Sequence, residues 1–239
     1  MISLFTIMRK TPRRAGLMPG EVTLTFDDGP NLTDDVTPRL LNVLHRHDVK
    51  AGFCLVGDQV RRHSAVVQRI FHSGHLLINH TQTHTHPLRM RYSDLLAEVQ
   101  SCDVELSHAL GIPAYRSEYF RAPFGIVTPG VRRVLRQLKM KQMLLSHYGW
   151  DTRVGPHNYQ SVVDRMIDNA QRHRGGLYVF HDGSLCPAKG DAVDWSESVE
   201  NRSWIPDAVD QVITELKSDG LRFTLPEQTL TARRILNAG

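Results

Sequence analysis

From residue 21 onward, short apolar runs alternate with longer stretches in which apolar residues recur every three or four positions. Runs such as Val22-Thr23-Leu24-Thr25-Phe26 and Tyr178-Val179-Phe180 are rich in β-branched and aromatic side chains. The pattern predicts strands over 22–26, 50–56, 75–79, 117–121, 141–146, 176–181 and 221–225, and helices near 34–47, 64–73, 93–110, 128–138, 159–173 and 205–218. End signals agree: Ser93-Asp94 opens one helix and Gly111-Ile112-Pro113 closes it, while Ser218-Asp219 runs into Gly220 before the last strand. A β-then-α rhythm builds a mainly parallel sheet with helices outside it. Seven such units without a glycine-rich nucleotide loop predict a single α/β domain of barrel type, in which functional residues sit at the C-terminal ends of strands.

Polar residues suited to chemistry fall at those ends. Asp27-Asp28, His80, Arg121, Asp151 and His181-Asp182 each follow a predicted strand. The interval 183–203 reads differently, as a long loop or short insertion beside the 176–181 strand. Long loops at a barrel mouth bind substrate, so Trp195 and Trp204 are expected to contact it.

Composition narrows the partners. With 41% apolar and 23% charged residues, the 239-residue chain can bury a large single core. Its 29 basic residues are interspersed with 25 acidic ones, without a run of six like charges, so the net +4 reads as a solvated surface and no nucleic-acid partner is expected. A mildly basic surface still attracts an anionic glycan or membrane face. The three cysteines, Cys54, Cys102 and Cys186, lack a CxxC spacing, which argues against a disulfide framework and fits a reducing compartment. Cys54 stands in the apolar run Phe53-Cys54-Leu55-Val56 and is expected in the core. The first apolar stretch, Met1 to Met8, precedes Arg9-Lys10 and Arg13-Arg14, the reverse of a secretory signal. The expectation is a flexible arm over 1–17, a domain over 18–239 and a cytoplasmic location, at the inner face of a membrane if the substrate is lipid-linked.

Neighbouring carboxylates repel, so Asp27 and Asp28 need a cation or donors to stay charged in a closed site; one can hold a metal while the other serves as a base. Asp-Gly-Pro is also an ordinary turn. His80 and His84 stand four apart, as two ligands on one helical turn do, although among 13 histidines such a pair also arises by chance. With Asp28 they make two imidazoles and one carboxylate, a set that holds catalytic zinc with open positions for water and substrate. His75 and His86 are nearby substitutes. Arg121 in Arg121-Ala122-Pro123-Phe124-Gly125 can clamp the Asp27 carboxylate, and backbone N–H groups of that turn can face a developing oxyanion. His181, delivered by an apolar strand, suits a general acid, with Asp151 to hold the imidazole and raise its pKa.

In this order these segments resemble the polysaccharide deacetylase family with a NodB-like domain, carbohydrate esterase family 4. Leu24-Thr25-Phe26-Asp27-Asp28-Gly29-Pro30 matches its first motif, and Gly74-His75 with Asn79-His80-Thr81-Gln82-Thr83-His84 its second. Phe120-Arg121-Ala122-Pro123-Phe124-Gly125 is similar to the third and Val179-Phe180-His181-Asp182-Gly183 to the fifth, so the resemblance runs from about residue 20 to 228. It implies a distorted (β/α)7-type barrel and one divalent metal, usually zinc, on Asp28, His80 and His84. Asp27 is then the base, Arg121 orients it, His181 protonates the leaving group, and the Phe124 N–H helps at the oxyanion, with Pro123 and Val179 lining the substrate pocket. The implied reaction removes acetyl from an N-acetylhexosamine in a glycan, oligosaccharide or glycolipid. An O-acetyl esterase and a catalytically silent glycan-binding protein are the rivals, the latter opposed by a candidate for every role. The fourth motif departs from the family pattern, reading Tyr148-Gly149-Trp150-Asp151-Thr152. One register puts Asp151 at the acid that tunes the histidine, with Thr152 replacing a tryptophan; the other puts Val154 there, and the first is preferred. Val179 stands for a leucine, and Ala51-Gly52-Phe53-Cys54 for Ala-Thr-Phe-Phe.

Overall fold

The sheet is assembled on its longest strand, β1 (Glu21–Gly29). A computed structural model of the chain describes residues 17–184 and 198–226; the expected arm (apart from Leu17), Cys186 and Trp195 lie outside the described residues. On one side β1 pairs with β2 (Gly52–Leu55), followed by β3 (Leu76–Asn79), β4 (Tyr119–Phe120) and β5 (Lys141–Gln142). On the other side it pairs with β7 (Gly176–His181), which pairs with β6 (His147–Tyr148). Every pair is parallel. A last strand, β8 (Arg222–Phe223), takes the edge of Glu21 and Val22 that β2 leaves uncovered, because β2 first meets β1 at Thr25.

The helices fall where the periodicity placed them: α1 (Val36–Arg46), α3 (Ser64–His72), α4 (Tyr92–Leu110), α5 (Pro129–Leu138), α6 (Gln160–His173) and α7 (Ile205–Ser218). A short extra helix, α2 (Gly57–Arg62), was not expected. Gly111 ends α4 in the left-handed conformation (φ 65°), open to a residue without a Cβ. Thr128 caps α5, its Oγ1 accepting the Val131 N–H at 3.1 Å ahead of Pro129.

The barrel is distorted because it does not close. The run 141–146, expected as one strand, serves both free edges: the Met143 N–H donates to the Phe120 carbonyl at 2.8 Å, and the Ser146 N–H to the Leu177 carbonyl at 2.9 Å. No helix intervenes to carry the chain around, so it steps straight across the gap, and the two-residue strands β5 and β6 remain unpaired with each other. The result is a curled parallel half-barrel, with the predicted 221–225 strand outside the main arc.

Alternation along the strands separates two apolar layers. Outward-facing Val22, Leu24, Phe26, Phe53, Leu55, Tyr178 and Phe180 are buried under α1, α6 and α7, with α7 packed against both of the others. Inward, Cys54, Ile78, Tyr119, Met143, Leu177 and Val179 fill the lumen, and Leu17 packs against them. Cys54 is thus buried in the core, as expected. Register places Asp27 beside both Cys54 and His181, so the plug forms the floor on which the inward polar residues of the strand ends stand. No helix among the described residues is long and apolar enough to cross a membrane. Phe26, fully buried, lies 5.1 Å from the Phe53 ring and 6.2 Å from the Phe180 ring. Phe26→Ala is expected to lower unfolding free energy by about 3–5 kcal/mol at unchanged denaturant slope, measured by urea titration.

Candidate metal centre and active site

In a regular strand, Asp27 and Asp28 would point to opposite faces. The register between β1 and β2 shifts between Asp27 and Gly29, and Asp28 adopts φ 73°, a left-handed conformation that aspartate tolerates better than most residues. This bulge turns the second carboxylate toward the mouth that the first already faces. Three contacts hold it. The Val56 N–H donates to the Gly29 carbonyl at 3.1 Å, and the Gly183 N–H to the Asp27 carbonyl at 3.2 Å. Gly183 passes so close that a Cβ there would lie 2.1 Å from the Asp28 carbonyl oxygen, which only glycine permits.

Asp28 Oδ1 is buried and has no hydrogen-bond donor, yet lies 3.3 Å from His80 Nε2 and 3.2 Å from His84 Nε2. His80 Nδ1 donates to the Arg121 carbonyl at 2.8 Å, so its Nε2 carries a lone pair. The ligand atoms of the three residues lie within 4.8 Å of one another. Two imidazoles and one carboxylate converging in this way fit a divalent cation and leave positions open on it. Burial pushes the His84 pKa down to about 4, so that imidazole stays neutral. Burial pushes Asp28 up, but the adjoining His80 ring and the other imidazoles outweigh it and hold the carboxylate ionised.

The histidines do not lie on a helical turn, as their spacing suggested. They sit on a loop whose Thr81 (φ 69°) and His84 (φ 56°) are left-handed. The loop is held from two sides. The Gly57 and Asp58 N–H groups of α2 donate to the Thr81 and Gln82 carbonyls, both at 3.0 Å. From α4, Glu98 accepts the Thr83 N–H at 2.8 Å, and buried Asp103 accepts from Asn79 Nδ2 at 2.9 Å. Asn79 Oδ1 in turn takes the Thr81 N–H at 3.0 Å. Asn79 stood in the second motif without a role, and Asp103 was missed in the sequence, although it left a signal as an acid on the buried face of α4 beside Val99, Cys102 and Leu106.

Arg121 is buried beside Asp27, with Nη1 donating to Asp27 Oδ1 at 2.5 Å and to Thr25 Oγ1 at 2.8 Å. Burial pushes the Asp27 carboxyl up, but the guanidinium, with His80 and His181, prevails and holds its pKa below the usual range. Across the mouth, the His181 N–H donates to Asp151 Oδ2 at 2.6 Å and its ring Nδ1 lies 3.1 Å from Oδ1. Burial works against the charged imidazole, but the Asp151 charge and hydrogen bond, with Asp28 and Asp27 behind them, raise the His181 pKa to about 9. Asp151, not Val154, is therefore the acid against the histidine.

The remaining candidates divide. Phe124, left-handed at φ 58° and 58% exposed, places its ring 4.7 Å from His84, and Pro123 is buried beneath that turn. Val179 is buried in the lumen plug, one inward position before His181 on β7. Trp204 does not reach the site: it is 3% exposed and stacks on Tyr159 at 5.4 Å in the outer core, because it directly precedes α7 and is drawn under that helix with Ile205. His75 lies at the opposite end of β3, its Nδ1 accepting the Ala51 N–H at 3.2 Å. His86 caps the next turn by accepting the Leu88 N–H and packs 4.9 Å from Phe124. Beside the altered fourth motif an aromatic wall is supplied by Tyr148, edge-on to His181 at 5.6 Å, and by left-handed Trp150 (φ 62°) under the Arg153 guanidinium.

A family profile described as "Polysaccharide deacetylase" matches residues 16–143, more than half of the chain. A chitooligosaccharide deacetylase of Rhizobium leguminosarum bv. trifolii is 44% identical over 175 residues, covering 72% of this chain and 75% of its own. A peptidoglycan-N-acetylglucosamine deacetylase of Bacillus cereus is 27% identical over 217 residues, covering 89% and 70%. Among solved structures, the Bc1960 peptidoglycan N-acetylglucosamine deacetylase superposes with a TM-score of 0.70 at 26% identity, over 86% of this chain and 85% of that one. The matched stretch includes the bulged Asp27-Asp28 pair, both loop histidines and Arg121, and the chain belongs to the polysaccharide deacetylase family, a hydrolase of that carbohydrate-deacetylating class.

Proposed function

We propose that the chain is a zinc-dependent N-deacetylase that hydrolyses the acetamido group of N-acetylglucosamine units, in peptidoglycan or chitooligosaccharides. The observation that carries this reading is one mouth holding a carboxylate kept ionised, a set of converging lone pairs and an imidazole kept protonated. The named relatives act on glycans of these two kinds.

A divalent cation held by Asp28, His80 and His84 supplies a Lewis acid and a lowered pKa for the attacking water, and the nitrogen-rich donor set favours zinc. The protein's own groups then divide the proton transfers. With Arg121 on Oδ1 of Asp27, Oδ2 takes the proton of the attacking water. In the Pro123–Gly125 turn, where Pro123 has no N–H and the Gly125 N–H donates to the Ala122 carbonyl, the Phe124 N–H donates to the oxygen on which charge develops. His181, tied through Nδ1 to Asp151, gives its Nε2 proton to the departing nitrogen, and Asp151 stabilises the imidazolium until then. One proton taken and one given convert amide and water into acetate and a free amino sugar.

Asp27→Asn is expected to keep stoichiometric zinc while losing at least a hundredfold in kcat, whereas His80→Ala loses both metal and activity. Acetate release from N-acetylated oligosaccharides, alongside metal analysis, checks this pair; release only from O-acetylated sugars would overturn the amide reading. The acid must enter the reaction protonated, so turnover should fall as pH rises through about 9. In Asp151→Asn the largest raising charge is gone while burial still works against the charged imidazole, so the alkaline limb should move down from about 9, as a pH–rate profile would show.

A further inference from the structure

Arg202 lies near the end of the 183–203 interval expected to touch substrate, and nothing in the sequence around it, Asn201-Arg202-Ser203, distinguishes it from a surface residue. It is only 4% exposed. Its Nε donates to the Gly183 carbonyl at 3.2 Å, and its Nη1 donates to the Asp151 carbonyl at 3.4 Å and the Val199 carbonyl at 2.6 Å. Nη2 lies 3.8 Å from the Glu200 carboxylate, which accepts the Ser184 hydroxyl at 2.7 Å. A buried guanidinium is costly unless its donors are used, and three of its five N–H groups go to backbone carbonyls in the segments at 151, 183 and 199.

Two of those segments carry the acid pair. Asp151 is the residue whose carboxylate holds His181, and Gly183 stands two residues beyond His181. Asp151 lies in a 3-10 turn (Asp151–Arg153), not in a strand, and none of the sheet's ladder pairs includes it. Its carboxylate faces His181 while its carbonyl is held from behind by Arg202. The rigid, planar fork fixes the spacing between the Asp151 turn and the end of β7, which a flexible lysine cannot do through several donors at once.

We propose that Arg202 is the positioning residue of the His181–Asp151 pair, setting the imidazole's geometry without touching substrate. The proposal rests on the reading of His181 as the acid, and its test separates the two. In the zinc-loaded full chain, the His181 Nδ1 proton held by Asp151 should give a downfield NMR resonance, lost in Asp151→Asn. Arg202→Met should bind zinc normally but weaken or lose that resonance, and kcat should drop roughly ten- to a hundredfold with KM within about twofold. Arg202→Lys, which keeps the charge without the fork, should fall between, and it decides the matter if the methionine variant does not fold. The double variant Arg202→Met/Asp151→Asn should be no slower than Asp151→Asn alone, because both act through one hydrogen bond. An unchanged resonance and kcat in the Arg202 variants, or losses that multiply in the double variant, would overturn the proposal. Full kcat in Asp151→Asn across the wild-type pH range would instead remove the acid role of His181, while a resonance lost in Arg202→Met would still establish the positioning.

Discussion

Two carboxylates adjacent in the chain can share one closed mouth only if the backbone between them leaves the strand and their mutual repulsion is offset. The left-handed bulge at Asp28 meets the first condition, and the neighbouring strands enforce it. The amide of Val56 beyond β2 and that of Gly183 beyond β7 each hold one carbonyl of the turn. The second condition divides the two acids. Asp27 has a guanidinium to itself, whereas Asp28 has only the lone-pair faces of two imidazoles, which need a cation between them. Their different partners give chemically identical side chains different tasks.

The rest of the architecture serves that end of β1. The lumen is plugged with apolar side chains directly below, so the charged groups stand on a floor of low polarizability where each pairing counts for more than it would in water. Three of the other strand ends each contribute one component. His80 follows β3, Arg121 follows β4 and His181 ends β7, so the spacing of the parallel strands is also the spacing of the reacting groups. The open side of the half-barrel, where the chain steps from β5 to β6, leads into the segment carrying Tyr148, Trp150 and Asp151. Tyr148 is still paired with Val179 in the sheet, whereas Trp150 and Asp151 lie beyond that last ladder pair, and Asp151 reaches His181 from a turn.

Residues whose placement follows from local periodicity are legible in the amino-acid sequence. Strand ends can be counted, and the polar groups there stand out against apolar runs, as Asp27, His80, Arg121 and His181 do. Misreadings arise where a residue's surroundings are assembled from distant segments. The apolar run 141–146 reads as one strand, and only the two edges it meets split it. Trp204 reads as a loop aromatic until α7 docks and draws it inward. Arg202 looks like any surface arginine because the carbonyls that bury it come from residues 151, 183 and 199. The four-residue spacing of His80 and His84 suggests a helix, whereas the loop gains its form from amides of α2 and acids of α4.

The amino-acid sequence by itself determined the order of strands and helices, the layering of the core and the types of group available at the barrel mouth, because these depend on side-chain period and local turn chemistry. Tertiary structure alone decided that the barrel stays open, that Asp28 turns to join Asp27, that Asp151 and not Val154 faces His181, and that Arg202 is buried. Each of those outcomes depends on hydrogen bonds and close contacts between segments tens of residues apart, for which a linear pattern carries no local signal.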